Sequence, residues 1–282
     1  MQEELKRLEK SSWEIRLYGN NSLVNSVKSQ HFNIYDWSLA SDFPDYTPCF
    51  ESPHVNVLSN DQVDRAYIRI QCILRLVSGL RIVCDKQKVV ASDNDITLVE
   101  GIYFKKMRAK ENLDILLEEL ENPFDEKVAS LLCSSNVSHH GSEEEDFFNI
   151  IVRDSSVREA ITLFALGEEQ VLYFLINAYK ILEIIKGEYK LKNRSNKLCR
   201  DMNSKPIPDY LLDPLNEFQG FSRYINSKDG SGIFSRHGSK DSFPKNQKPS
   251  HAKMREVLIL AIKSWLNHKS EILYNRNYIS KS

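Results

Sequence analysis

No stretch of this chain approaches the ~18 uncharged apolar residues that a membrane-spanning helix requires. The longest apolar run, Val171 to Ile185, is interrupted by Asn177, Lys180 and Glu183. The opening Met1-Gln2-Glu3-Glu4-Leu5-Lys6-Arg7 has neither the basic start nor the apolar run of a secretory leader. Cysteine is sparse: there are five, widely spaced, with no CxxC among them. That excludes a disulfide framework and the paired spacing of a zinc site. Cys72 falls inside an apolar helical pattern and reads as a small core residue. His139-His140 are adjacent, so they point apart, and no third ligand is near. P-loop glycines, HExxH, GxSxG and GxGxxG are all missing. These absences predict a cytoplasmic protein with reduced thiols, no membrane association, no metal and no cofactor.

What is present bounds the architecture. The chain has 282 residues, 41% hydrophobic and 27% charged, which suits one large or two medium globular domains. The net charge of −1 conceals an asymmetry. From Tyr189 to the end there are 18 Lys/Arg against 8 Asp/Glu, a balance of +10, and the preceding part carries −11. Two readings stay open. The basic part faces an anionic partner, or the two halves neutralise each other.

Trp13 to Tyr18 alternates apolar with polar, the period-2 mark of a half-buried strand, and His31 to Ser38 does so less cleanly. Capped by Ser59 or Asn60, Val63 to Val77 places its apolar residues on one helical face, with Gly79 as the expected stop. Leu80 to Cys84 and Ile96 to Phe104 read as strands, and Asn112 to Leu120 as a short acidic helix. Residues 134–146 are polar and end in an acidic run, as a linker would. Beyond them the period changes to 3.6. Helices are predicted from Ser155 or Ser156 to Gly167, over Glu168–Gly187, over Asp209–Ile225 and after Ser250. The fold class is therefore α+β. Residues 1–133 form a mixed α/β domain with antiparallel strands and a central helix, and 147–282 a basic, all-helical bundle.

Residues 227–250 form a loop longer than its connecting task requires, as functional loops and plain disordered, solvated ones both do. At its centre stand Arg236 and His237. An arginine binds phosphate in bidentate fashion, and a histidine moves protons near neutral pH. Together they suit metal-free phosphodiester cleavage, with Lys240 and Arg223 adding positive charge for nucleic acid and Gly238 permitting the backbone to turn.

A basic helical C-terminal domain with an Arg/His segment ahead of its final helix resembles the HEPN-like domains of prokaryotic defence and toxin proteins. The whole chain is similar to uncharacterised prokaryotic proteins that open on W-x-I-x-L-x-G, here Trp13 to Gly19. They close on an RHG…EA…WL segment, here Arg236-His237-Gly238, Arg255-Glu256-Val257 and Trp265-Leu266. HEPN ribonucleases separate the arginine from the histidine by several residues, whereas here the two are adjacent. The resemblance implies an RNA-binding module of a bacterial defence or stress system, with metal-independent ribonuclease activity residing in Arg236 and His237. The alternative is a non-enzymatic interaction protein whose bundle binds a second copy of itself or a defence-system partner.

Overall fold

The computed structural model describes residues 11–18, 29–37, 47–92, 94–101, 103–110, 112–134, 141–195, 197–232, 235 and 248–279. The chain divides into two compact units: Met1–Arg81 with Gln87–Ser155, and Ile82–Lys86 with Ser156–Ser282. An antiparallel sheet and several helices make the fold α+β. No helix among the described residues is long and apolar enough to cross a membrane.

The first unit is built on strands β1 (Ser12–Tyr18), β2 (Asn33–Trp37), β3 (Thr47–Glu51), β4 (Val90–Ala91), β5 (Asp95–Glu100) and β6 (Tyr103–Arg108). Their order is β2-β3-β1-β5-β6, with β4 also pairing β1, and every pairing is antiparallel. The alternation of β1 buries Trp13, Ile15 and Leu17 and exposes Arg16 and Tyr18. Glu14 breaks the rule: it is buried on the polar face, bonded to Ser12 and Tyr35. Helix α1 (Pro53–Asn56) is capped by Ser52, and its Asn56 accepts the backbone N–H of Trp13.

Helix α2 (Val63–Val83) runs through Gly79 and absorbs the segment that sequence reads as a strand over Leu80–Cys84. Leu80 and Val83 continue its buried stripe, so packing outweighs the ~1 kcal/mol that one interior glycine costs. The single strand expected over Ile96–Phe104 is two strands, β5 and β6, folded back at Gly101 with φ +61°. Helices α3 (Leu113–Glu121) and α4 (Glu126–Ser134) follow.

Helix α5 (Glu143–Arg153) is grouped with the first unit, whereas composition placed residues 147–282 in the second domain. The reason is side-chain chemistry. Its Asn149 and Phe148 join a cluster with His31, and Glu144 lies 3.6 Å from Arg81 of α2, both buried.

The second unit consists of α6 (Ser155–Glu169), α7 (Val171–Tyr189), a two-stranded hairpin of β7 (Lys192–Arg194) and β8 (Lys197–Cys199), α8 (Asp209–Gly220), α9 (Ser222–Asn226), α10 (Lys228–Ser231) and α11 (His251–Tyr274). The hairpin corrects the all-helical expectation. Helix α6 passes through Gly167, whose missing side chain lets the backbone of Phe174 come close: a Cβ there would lie 3.3 Å from Phe174 Cα. The expected helix over Asp209–Ile225 breaks between α8 and α9 at Phe221. Helix α11 is capped by Ser250, packs along α8, and buries Trp265 and Leu266 completely.

Candidate functional site

Three exposed basic residues of the second unit, Lys192, Arg194 and Lys197, lie on the β7–β8 hairpin, and Lys190 and Lys205 flank it. Helix α7 ends at Lys190, whose left-handed backbone (φ 53°) turns the chain into β7. A tight turn at Ser195, also left-handed, joins β7 to β8. One side chain anchors the hairpin: Leu198 is buried, and its N–H donates to Asn216 Oδ1 of α8 at 2.7 Å. The return is tied down by Lys205 N–H donating to Tyr189 O, and by Ser204 Oγ donating to Lys190 O. Arg200 donates to Ile207 O and Asp209.

Lys190, Lys192, Arg194, Lys197 and Lys205 are all exposed. Among the described residues no carboxylate lies within ion-pairing distance of these five. Beside the hairpin a pocket of about 470 Å³ is lined by Glu183, Lys186, Lys190, Lys192 and Asn203. Glu183 pairs with Lys186 at 3.0 Å, which leaves Lys190 and Lys192 as the cations facing that space.

The hairpin is bracketed by Tyr189 and Tyr210, and both rings pack on His268 of α11, at centroid distances of 5.8 and 6.5 Å. His268 Nδ1 lies 3.5 Å from Glu271 Oε2, and the Tyr210 hydroxyl donates to the same carboxylate. Burial, and then this bond, push the Tyr210 hydroxyl well above its ordinary pKa, so it stays a donor. Asn267 Nδ2 reaches Tyr210 Oη at 3.4 Å, and Lys269 pairs with Glu188 at 2.7 Å. Sequence reading missed His268. Its partners come from α7, α8 and α11, with Tyr210 58 residues away in sequence and no local motif.

Of the residues singled out in sequence, Arg223 sits on α9 and is exposed. Arg236, His237 and Lys240 lie outside the described residues, as do His139 and His140.

A second histidine cluster belongs to the first unit. Asp125 N–H donates to His54 Nδ1 at 3.1 Å. His54 therefore carries its proton on Nε2 and donates it to His31 Nδ1 at 2.9 Å. His31 in turn donates from Nε2 to Asn149 Oδ1 at 3.0 Å. Every ring nitrogen is satisfied with both rings neutral. Phe124 and Phe148 pack around them, and neither imidazole touches solvent. Burial lowers His31 to about 4, with Arg153 adding to the effect. Burial, His31 and Arg69 lower His54 to about 3. A sealed, saturated pair of this kind fixes structure and offers no access to a substrate. Among the described residues no group of three or more His, Cys, Asp or Glu could hold a metal ion.

No known family model matches the chain, and neither curated proteins nor solved structures include a match.

Proposed function

We propose that the second unit binds RNA, as a HEPN-like module of a bacterial defence or stress system. The observation that carries the reading is the β7–β8 hairpin, with three exposed basic side chains of its own, two more at its flanks (Lys190 and Lys205), and one apolar anchor. Metal-independent cleavage is the activity that would accompany binding, with Arg236 gripping phosphate and His237 moving the proton. His268, at the foot of the hairpin, is a second imidazole for that task.

The test is retention of a labelled single-stranded RNA by the full chain at low salt, with Lys192→Glu/Arg194→Glu as the interface variant. Tight binding by the parent and a loss of more than tenfold in the variant support the reading. Equal retention by both sinks it. His237→Ala and His268→Ala, assayed for cleavage, separate the two imidazoles, because general acid/base help is worth about 10²- to 10⁴-fold.

One observation favours the interaction reading as an alternative. Val171, Leu172 and Tyr173, in the first turn of α7, are each more than half exposed. A contiguous apolar patch of this kind suits docking to a second copy. Sedimentation of parent and Leu172→Glu separates the readings, since a dimer through this patch dissociates in the variant.

A further inference from the structure

Strand β6 is an edge of the first unit's sheet, and among the described residues no strand pairs along its outer side. An edge strand directs the N–H and C=O of every second residue away from the sheet, which makes it a template for another extended chain. Five of its six residues are exposed; Met107 is half-buried. Two are aromatic, Tyr103 at 74% and Phe104 at 40% exposure. It has no proline, and its register with β5 is continuous from Tyr103 to Arg108, so no bulge turns the edge away.

The charge is what selects an occupant. Lys105, Lys106 and Arg108 make β6 basic, in a part of the chain that is otherwise acidic, and the strand contains no acid. Lys106 reaches Asp95 at 3.2 Å, so it has one carboxylate of its own. A second copy adding β6 to β6 would set lysine and arginine against their like, which is unfavourable across a strand pair. An acidic strand meets no such penalty.

We propose that β6 is a docking edge for an extended, acidic segment of a partner protein, which adds as a further antiparallel strand. The register follows from alternation. Phe104, Lys106 and Arg108 share one face of the sheet, and an antiparallel partner runs the other way. The segment it fits therefore reads acidic-x-acidic-x-apolar: the two acids oppose Arg108 and Lys106, and the apolar residue lies on Phe104. Backbone bonds supply binding and the alternate side chains supply selectivity, as in other strand-addition complexes. This site is independent of the RNA reading, which concerns the other unit.

The experiment uses the full chain and a fluorescein-labelled peptide, Thr-Glu-Val-Glu-Val-Phe-Thr, read by anisotropy and by hydrogen exchange. Three results are expected. The peptide binds and slows exchange of the alternate amides over 103–108 that point away from β5. The peptide N-methylated at alternate residues does not bind. A folded variant carrying Arg108→Glu with Lys106→Gln binds at least tenfold more weakly. No binding overturns the proposal. So does equal binding by the N-methylated peptide, which would make the contact one of charge alone. Protection, before any peptide is added, of the alternate 103–108 amides that point away from β5 also overturns it, since the edge would then be occupied already.

Discussion

Protonating either imidazole of the His31–His54 pair sets two N–H donors against one another, because each acceptor nitrogen is already used. The sign of the pH dependence follows. Both histidines have folded pKa values below the ordinary 6.5, so below that pH the unfolded chain takes up protons that the folded one refuses. Their contribution is intact above about pH 6.5 and is lost as pH falls towards about 4 for His31 and 3 for His54. Each proton costs about 1.4 kcal/mol of stability per pH unit in that window. Glu14 acts the other way: burial raises its carboxyl, so acid relieves its charge. Urea unfolding of Glu14→Gln between pH 7 and 4.5 isolates the histidines and should show stability falling throughout. A flat profile would mean that the pair is not neutral and buried. Asn149→Leu strands the Nε2–H of His31 and should cost about 1–3 kcal/mol at pH 7, measured by the same method.

The β7–β8 hairpin has one anchor and many charges, so its rigidity is open to test without touching charge. Asn216→Ala removes the acceptor for Leu198 N–H and should cost about 1 kcal/mol, while weakening RNA binding by loosening the hairpin. At α10, Gly230→Ala would place a Cβ 2.7 Å from Tyr224 O, and overpacking of that kind costs about 1–3 kcal/mol in thermal unfolding. Elements with a long apolar period were legible from sequence. The alternation of Trp13–Tyr18 gave β1, Val63–Val77 gave the core of α2, and the stripe of Met254–Leu266 with Ser250 as cap gave α11. What was not legible had too little periodicity or the wrong punctuation. Strands β7 and β8 are three residues each, mostly polar, and offer one buried side chain to a pattern that needs several. Gly79 and Gly167 look like stops but sit inside helices held by packing. The histidine chain was out of reach, since His31 and Asn149 are 118 residues apart in sequence.

At the scale of the whole molecule, the balance of +10 after Tyr189 against −11 before it leaves two readings: an anionic partner or mutual neutralisation of the halves. They differ in how salt acts. A polyanion held by charge releases counterions, so affinity falls as a power of salt concentration. About four phosphates of a single strand give a log–log slope of roughly −2.8, which is about fiftyfold over a fourfold rise in salt. The decisive measurement is that slope for the full chain, beside Lys192→Glu/Arg194→Glu. A steep slope is expected for the parent, and one shallower by about 1.4 in the variant, two phosphate contacts fewer. A slope near zero, or identical slopes for parent and variant, would contradict this expectation.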